Sequence, residues 1–310
     1  MKQLNLFLFV PIILILGACA STATDNTGES RSGSLDAVND WVYQLQNISV
    51  NEIGASSFDL AVIDYSADGS DEEAFTGDEV ETMRGTGDSA KLVIAYLSIG
   101  EAEDYRTYFD ATASYVDTEN PDWPGNFKVY YWESDWQEVV FAAIDRLIDA
   151  GFDGAYLDII DAYEYYGPGG ESGLNRASAA DDMVSFVVAI AEHAREQDGN
   201  FIIIPQNGSG IINDSGMSAE YFAAIDGIGA EDTFYFGDED EDNILDEQEN
   251  VISNLETFVA NGKIVLCTDY LTDADKVDNF YELALENNFV PYATMRDLDV
   301  FRENEGHEPD

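Results

Sequence analysis

Residues 136–158 read WQEVVFAAIDRLIDAGFDGAYLD and contain one complete helix-to-strand unit. Apolar residues recur at the spacing of one helical face: Val140, Ile144, Leu147 and Ile148. That spacing predicts a helix that packs on a core. Gly151 follows as a helix stop, because glycine readily adopts the left-handed conformation found just beyond a helix. The apolar run that comes next ends on the carboxylate of Asp158, so the stretch predicts a helix, a turn and a buried strand with an acid at its end.

The same alternation of β-rich apolar runs and helical segments continues along the chain. Eight runs are predicted to be strands: Trp41–Leu45, Leu60–Asp64, Leu92–Ser98, Gly154–Asp158, Phe201–Pro205, Ile225–Ala230, Ile264–Thr268 and Val290–Thr294. Strands that alternate with helices form parallel sheets, and eight such units close most naturally into a single (β/α)8 or TIM barrel, an α/β fold. An open doubly wound sheet is the alternative, but the sequence lacks the glycine-rich phosphate loop expected after its first strand.

Helix starts and domain limits can also be placed. Ser178 with Asp181 is typical of a capping box, which begins a helix. We assign residues 35–303 to the barrel and residues 304–310 to an acidic tail.

Acidic residues dominate the charge of the chain. The 310 residues include 63 Asp and Glu against 13 Lys and Arg, which gives a formal net charge of −50. Such a surface repels nucleic acid, because phosphate binding requires clustered Lys and Arg. The acid is spread along the whole chain, which favours a solvated, salt-adapted (halophilic) surface over an acidic interaction arm. Most carboxylates are therefore expected at the surface, and position must mark the catalytic ones.

The N-terminal residues indicate an export signal. An apolar stretch over residues 6–16 is followed by small residues and the ending Leu16-Gly17-Ala18-Cys19. This ending resembles the bacterial lipobox, whose cysteine is acylated and becomes the mature N-terminus. We predict a lipoprotein signal peptide over 1–18 and a lipidated, flexible Ser-, Thr- and Gly-rich tether over 19–34, so that the exported protein is anchored to the membrane of the cell envelope. An ordinary signal peptide with a chance cysteine is the alternative.

Polar residues follow nearly every predicted strand at its C-terminal end. They are Gln44, Gln46, Asp64, Tyr65, Ser98, Glu101, Glu103, Asp158, Asp161, Gln206, Asn207, Glu231, Asp232, Asp269, Tyr270 and Arg296. In a barrel, the chemistry lies on the loops at this face. Carboxylates and amides interleaved with tyrosine rings are typical of a site for a polyhydroxylated ligand. The two histidines, His193 and His307, are predicted to lie in a helix and in the tail, away from the strand ends. A histidine-based triad or zinc site at this face is therefore not expected.

Asp158 and Glu231 are the carboxylates best placed to hydrolyse a glycosidic bond. The reaction needs two carboxyl groups, one protonated to assist the leaving oxygen and one ionised. Asp158 ends the fourth predicted strand, and Glu231 follows the sixth, whose glycines allow a ligand to approach the backbone. These two residues are the predicted catalytic pair. A surface lipoprotein that binds polysaccharide without cutting it is the alternative, because residue types alone do not reveal a raised pKa.

Several blocks of the chain form a family pattern. They are FDLAVIDY at 58–65, AYLSIGEAEDYR at 95–106, Trp132, GFDGAYLD at 151–158, PQNG at 205–208, Glu231-Asp232 and Asp269-Tyr270. The pattern resembles glycoside hydrolase family 114, the endo-α-1,4-polygalactosaminidase-like enzymes, from Trp41 to Arg296. The resemblance implies an endo-acting hydrolase of α-linked, galactosamine-containing polysaccharide. It places the family's strand-four aspartate and strand-six glutamate at Asp158 and Glu231, with Asp158 as nucleophile and Glu231 as acid/base by analogy with similar barrels.

The other predicted site residues are assigned to substrate binding. They are Asp64, Tyr65, Tyr96, Glu101, Arg106, Asn207, Asp269 and Tyr270. The two-carboxylate chemistry requires no cofactor. The predicted partners are a polysaccharide substrate and, through Cys19, the membrane.

One acidic stretch, residues 238–249, has the spacing of an EF-hand calcium loop. Oxygen ligands fall at positions one, three, five, nine and twelve: Asp238, Asp240, Asp242, Asp246 and Glu249. Asn243 stands where the loop expects glycine, and asparagine also tolerates the left-handed turn. The hypothesis is a structural calcium site; the alternative is an acidic run in an acidic protein.

Overall fold

The structure is a computed structural model that describes residues 35–87, 90–237 and 239–309. The predicted signal peptide, the tether with Cys19, and Asp238 lie outside the described residues. Among the described helices, none is both long and apolar enough to cross a membrane.

Parallel strands and helices alternate through the described residues. The strands are β1 Trp41–Gln44, β2 Leu60–Ile63, β3 Leu92–Ser98, β4 Glu101–Glu103, β5 Val116–Glu119, β6 Asn126–Val129, β7 Gly154–Asp158, β8 Ile202–Pro205, β9 Gly227–Glu231, β10 Ile264–Tyr270 and β11 Val290–Thr294. The helices are α1 Val50–Ala55, α2 Gly77–Arg84, α3 Ser134–Ala150, α4 Ala162–Tyr166, α5 Ala179–Gln197, α6 Ile211–Asp214, α7 Ser218–Ala224, α8 Glu249–Ala260 and α9 Ala274–Glu286. All eight predicted strands are confirmed, with small shifts at their ends.

The eight predicted strands run parallel and follow one another in chain order. Backbone ladders join β1, β2, β3, β7 and β8 in one sheet and β9, β10 and β11 in a second. An isolated parallel bridge between Gln206 and Gly229 links β8 to β9. The Trp41 indole N–H donates to the Val290 carbonyl at 2.9 Å, which brings β11 beside β1. This is the strand order of TIM-barrel enzymes, in which the C-terminal strand ends share one face.

Aromatic rings from both sheets pack together in the core. The Trp41 ring centroid lies 5.8 Å from that of Tyr43 and 5.8 Å from that of Tyr292, and Tyr43 lies 5.4 Å from Tyr156. A Cβ on Gly229 would overlap the Tyr156 hydroxyl, so β9 needs glycine there to admit this ring. At this position glycine serves the packing of the core rather than the predicted approach of a ligand.

The helix predicted after Trp136 is confirmed as α3, but one predicted helix start is wrong in detail. Gly151 ends α3 with a φ of 86°, as its prediction as a stop requires. The predicted capping box of α5 is absent, since the Ser178 hydroxyl donates to the Asp182 carboxylate at 2.7 Å. The Asp181 carboxylate accepts from Ser215 at 2.6 Å. Both acids are committed to contacts that a local pattern does not encode.

A small antiparallel sheet between β3 and α3 is a feature that the sequence analysis does not predict. Its strands pair in the order β4-β6-β5. They are short and polar, as in the Val-Asp-Thr-Glu of β5, so neither an apolar run nor a regular alternation announces them. We call this sheet and its loops, residues 101–129, the insert. It leaves the parallel sheet directly after β3, at the face where the predicted site lies.

The segment predicted to be an acidic tail is docked on the domain. Asn304 is buried, and its amide donates to the Tyr281 hydroxyl at 3.1 Å and to the Ala293 carbonyl at 2.9 Å. The His307 ring stacks on Tyr281 with centroids 3.9 Å apart. Residues 304–309 therefore pack against α9 and β11.

Candidate active site

A cleft of about 720 Å³ opens at the C-terminal ends of the parallel strands. It brings together seven of the predicted catalytic and substrate-binding residues: Asp64, Tyr96, Glu101, Asp158, Asn207, Glu231 and Tyr270. Three others, Tyr65, Arg106 and Asp269, are not part of its lining. The strand ends thus build a common site, as predicted, and the three outlying residues have supporting positions.

Asp158, the last residue of β7, lies in the cleft with neutral donors around it. The Tyr96 hydroxyl donates to its Oδ2 at 2.6 Å, and the Ile159 backbone N–H donates to its Oδ1 at 2.7 Å. Burial raises the pKa of Asp158 well above its ordinary value, and the charge of nearby Glu231 raises it further. Asp158 is therefore a carboxyl group that keeps its proton to a higher pH than an ordinary aspartic acid does.

Glu231, the last residue of β9, is held by an amide and a phenol. The Asn207 amide donates to its Oε2 at 2.9 Å, and the Glu231 backbone N–H donates to the Asn207 Oδ1 at 3.0 Å. The Tyr270 hydroxyl donates to its Oε1. Burial raises the pKa of Glu231, and the Tyr270 and Asn207 donors oppose that rise because they stabilise the ionised form. Asn207 and Tyr270, two residues predicted to bind substrate, thus contact Glu231, one of the two predicted catalytic carboxylates, directly.

Arg296 and Asp232 hold the ring of Tyr270, whose hydroxyl donates to Glu231. The Arg296 guanidinium lies 4.2 Å from the Tyr270 ring centroid. Its two terminal nitrogens donate to both oxygens of Asp232 at 2.8 and 2.9 Å. A planar guanidinium that is both stacked and bidentate has little freedom to turn. Tyr270 is therefore pinned on one face, and its hydroxyl stays aimed at Glu231.

Asp269 is a positioning residue rather than the substrate ligand that was predicted. Its carboxylate is fully buried and accepts from three successive backbone N–H groups at 2.8 to 3.0 Å: those of Thr233, Phe234 and Tyr235. Burial raises the pKa of Asp269 to about 7, although the three donors oppose this. Asp269 therefore shapes the turn that follows Glu231.

Arg106 is likewise a supporting residue, buried outside the cleft lining. It binds both Asp64 oxygens, at 2.6 and 3.1 Å, and the Glu103 carboxylate at 2.8 Å. The Tyr65 ring packs against the Arg106 guanidinium, which lies 4.5 Å from the centroid of that ring. The Tyr65 hydroxyl donates a hydrogen bond to Asp71. The predicted roles of Arg106 and Tyr65 as substrate ligands are therefore corrected. Asp64 does line the cleft, but its charge is balanced by Arg106.

Glu101 joins the cleft to the insert. Its Oε1 accepts from the Lys128 ammonium at 3.2 Å and from the Asn120 amide at 2.9 Å. Its Oε2 is buried with no hydrogen-bond partner among the described residues. Glu101 and both donors belong to the insert, so these bonds hold the insert together where it borders the cleft.

The lining of the cleft is strongly acidic. Eight carboxylates line it: Asp64, Asp68, Glu101, Glu103, Asp158, Asp161, Glu231 and Asp297. Among the described lining residues, Arg296 is the one cationic side chain, and it is paired with Asp232. A concave surface of one sign concentrates ligands of the opposite sign, so the cleft attracts cations.

The sequence model of glycoside-hydrolase family GH114 matches residues 20–308. The chain belongs to family GH114. This GH114 enzyme, a glycoside hydrolase, is 37% identical to an uncharacterized protein of Thermotoga maritima, over 98% of this chain and 94% of that protein. It is also 36% identical to the uncharacterized protein MJ1477 of Methanocaldococcus jannaschii, over 84% of this chain and 76% of the relative.

Solved structures of GH114 enzymes have a similar fold. The crystal structure of Aspergillus fumigatus Ega3 in complex with galactosamine matches with a TM-score of 0.64 at 18% identity, over 86% of this chain and 96% of that one. The glycoside hydrolase domain of PelA from Pseudomonas aeruginosa matches with a TM-score of 0.65 at 14% identity, over 86% of this chain and 98% of the domain. The predicted α/β fold of the TIM-barrel enzymes is thereby confirmed.

The side chains in the cleft of this GH114 enzyme that the sequence did not predict include Tyr43, Trp123, Asn126 and Asp297. Tyr43 lies in the middle of β1, where a buried tyrosine is the expected core residue, yet its hydroxyl donates to Gln206 at the cleft floor, at 3.2 Å. Trp123 and Asn126 belong to the insert. A tryptophan in a polar loop, Trp123, was the sequence feature that could have indicated that the insert lines the cleft.

The predicted calcium loop does not form a metal site within the described residues. No cluster of three metal-binding side chains is found there, and Asp238, the first expected ligand, lies outside them. The Asp242 carboxylate accepts from the Thr272 and Asp273 backbone N–H groups at 2.8 and 2.9 Å. The Lys276 ammonium donates to the carbonyls of Asp242 and Asn243. Lys276 therefore binds the carbonyl groups at the centre of the loop. The side chains of Asp240, Asp246 and Glu249 are exposed to solvent.

Proposed function

We propose that this GH114 enzyme hydrolyses α-linked, galactosamine-containing polysaccharide with Asp158 and Glu231 as its catalytic pair. The observation that carries the proposal is the pair itself. Both carboxyl groups lie in one cleft, burial raises the pKa of each, and the charge of Glu231 opposes the ionisation of Asp158. Such a pair holds one proton and one charge, as a general acid beside a nucleophile requires.

The proposed reaction proceeds in two displacements at the anomeric carbon. The Asp158 carboxylate attacks this carbon while Glu231 gives its proton to the departing glycosidic oxygen, so that one C–O bond forms as the other breaks. Glu231 then takes a proton from water, and the water oxygen attacks the same carbon and displaces Asp158. Two inversions leave the product with the anomeric configuration of the substrate.

In the absence of substrate, the surroundings of the pair favour the proton on Asp158 rather than on Glu231. Donation by Tyr270 and Asn207 favours ionised Glu231, whereas burial and the charge of Glu231 favour protonated Asp158. In the proposed mechanism, substrate binding therefore shifts the proton from Asp158 to Glu231. A substrate that carries an ammonium group close to Asp158 produces this shift, because a nearby cation favours the ionised carboxylate.

Aryl glycosides with an acidic leaving group test this assignment of roles. Such a leaving group departs without a proton from the enzyme, so loss of the general acid is tolerated. We expect Glu231→Gln to release one equivalent of the aryl group rapidly and then to turn over slowly, because the second displacement still needs Glu231 as its base, and we expect Asp158→Asn to lose the rapid release. The reverse pattern would exchange the two roles.

The acidic lining supports an amino sugar as the unit that is bound. A deacetylated galactosamine polymer carries repeated ammonium groups, which the carboxylates of the cleft attract. The complex of the structurally similar Ega3 with galactosamine supports the same class of substrate. N-acetylation removes that charge, so we expect a higher KM for an acetylated polymer, and we expect added salt to raise the KM of the deacetylated one.

Product analysis tests the substrate assignment. The mature protein is incubated with α-1,4-linked polygalactosamine, its N-acetylated form and a β-linked glucosamine polymer, and the products are separated by mass spectrometry. We expect galactosamine oligomers of intermediate length from the first. Cleavage of the β-linked polymer alone would show that the substrate is a different one.

We further propose that the protein is exported and anchored in the cell envelope through an acylated Cys19. The lipobox-like ending before this residue supports the proposal. If Cys19 carries the acyl chains, Cys19→Ser should release the enzyme from the membrane fraction of a bacterial host. An intact mass that corresponds to an unmodified N-terminus beyond Cys19 would rule out the anchor.

A further inference from the structure

We propose a second sugar-binding position at the rim of the cleft, formed by the rings of Tyr105 and Trp123. The inference rests on the proposed function and extends it, since this position holds another pyranose unit of the same chain. Both residues line the cleft that contains Asp158 and Glu231. Both remain about half exposed, Tyr105 at 48% and Trp123 at 54%.

The Tyr105 ring is fixed in place by the buried ion network beneath it. Its hydroxyl donates to Glu103 at 2.5 Å, and Glu103 in turn binds Arg106. The Arg106 guanidinium lies 4.9 Å from the ring centroid. Gly69, with a φ of 84°, lies so close to the ring that a Cβ there would collide with it. A ring that is already ordered loses little entropy when a ligand covers its open part.

Trp123 stands at the tip of the insert, on a loop with firm backbone support. Its carbonyl accepts from the Asn126 N–H at 3.1 Å, and the Gly125 carbonyl accepts from the Asp104 N–H at 2.8 Å. Gly125 has a φ of 96°, a conformation that favours glycine. No aromatic or cationic group is found against the Trp123 ring within the described part of the chain. The loop is therefore anchored while the indole stays uncovered.

A pyranose ring is the ligand that suits this pair. Its C–H face packs on an aromatic ring, and its hydroxyl groups reach polar neighbours such as Asn126 and Glu103, which line the same cleft. An endo-acting hydrolase binds several units of its polymer at once, and binding away from the scissile bond strengthens the hold on long chains. The rim position therefore contributes to the KM of long substrates and leaves the chemical step unchanged.

Phe236 provides a matched control for substitutions at the rim. It is an aromatic residue with the same 48% exposure as Tyr105, but it does not belong to the lining of the cleft. The variants to compare are Trp123→Ala, Trp123→Phe and Phe236→Ala, with long α-1,4-polygalactosamine and a short oligomer as substrates. We expect Trp123→Ala to raise the polymer KM about tenfold, with kcat and the short-oligomer kinetics nearly unchanged. We expect Trp123→Phe to recover most of the loss and Phe236→Ala to behave as wild type.

Tryptophan fluorescence gives a second readout that is independent of turnover. Of the four tryptophans, Trp41 and Trp136 are fully buried, and Trp132 is covered by Arg176 at 4.1 Å. In a Glu231→Gln background, polymer binding should change the emission, and Trp123→Phe should abolish that change. The inference would be overturned if Trp123→Ala had the same polymer KM as the Phe236→Ala control and if Trp123→Phe kept the same fluorescence response as that control. A wild-type enzyme that neither binds nor cuts galactosamine polymers would instead overturn the proposed function, and the rim position with it.

Discussion

The cleft contains two sets of buried carboxylates that differ in what balances their charge. Asp158 and Glu231 accept hydrogen bonds from neutral donors, which are tyrosine hydroxyls, an amide and backbone N–H groups. Asp64 and Glu103 share the guanidinium of Arg106 at 2.6 and 2.8 Å. Asp64 and Asp158 both follow or end parallel strands, so position alone does not separate the two sets.

The difference shows which carboxylates are available for chemistry. A neutral donor stabilises a carboxylate without cancelling its charge, so burial still raises the pKa of Asp158 and Glu231. A buried guanidinium balances the charge of the carboxylates that it binds. The first set can exchange a proton with a substrate, whereas the second holds the loops around it in place.

The largest effect is expected from the neutral-donor pair. Asp158→Asn and Glu231→Gln should each lower kcat on the polymer by roughly four orders of magnitude, because each removes half of the acid–nucleophile pair. Asp297→Asn is the matched control, since Asp297 is an exposed carboxylate in the same cleft, and it should stay within about tenfold of wild type. Near-normal turnover in either member of the pair would remove that residue from the mechanism.

The ion-paired set should respond in stability instead. Arg106→Met leaves two buried carboxylates without a cation, and we expect the free energy of unfolding to fall by about 3–5 kcal/mol. Lys128→Met is the comparison, because the lysine is partly exposed and binds one carboxylate, Glu101, so its loss should cost about 1 kcal/mol. Urea unfolding measures both. An Arg106→Met variant as stable as wild type would erase the distinction between the two sets.

The pH dependence of stability separates the sets in a further way. The folded state raises the pKa of Asp158, so the folded protein holds this proton more tightly than the unfolded chain does. The resulting stability is complete below the ordinary carboxyl pKa and is lost as the pH rises through the folded-state value. The free energy of unfolding of Asp158→Asn, relative to that of wild type, should therefore rise with pH. The rise should be about 1.4 kcal/mol per pH unit between the ordinary carboxyl pKa and the folded-state pKa of Asp158. Parallel stability curves would mean that Asp158 is ionised in the fold.

Removal of single donors should give smaller shifts, each on a different limb of the pH–rate profile. Tyr270→Phe removes a donor to Glu231 and raises the pKa of this acid, so the basic limb of kcat should move to higher pH. Tyr96→Phe removes a donor to Asp158 and should move the acidic limb to higher pH. Each kcat should fall about tenfold or less. The same limb moving in both variants would contradict the assigned roles.

The strands and the placement of Asp158 and Glu231 in one cleft could be predicted from sequence, because periodicity encodes the strands and therefore their ends. An apolar run that ends in a carboxylate, as in Gly154–Asp158, fixes both a strand and the face on which its acid lies. The charge balance of each acid could not be predicted, because Arg106 lies 42 residues from Asp64 along the chain. The same applies to Asp269, whose three backbone donors come from residues 34 to 36 positions away. The insert escaped prediction because its short polar strands have no hydrophobic period.

In the proposed mechanism, Asp158 and Glu231 share one proton in the free enzyme. Infrared difference spectroscopy at neutral pH, wild type against Asp158→Asn, detects the carbonyl stretch of a protonated carboxyl group directly. Asp64→Asn serves as the comparison from the ion-paired set. The structure predicts a protonated-carboxyl band in the difference between wild type and Asp158→Asn, and no such band in the difference between wild type and Asp64→Asn. A difference spectrum between wild type and Asp158→Asn that lacks this band would mean that Asp158 is ionised in the free enzyme, and it would rule out the shared proton.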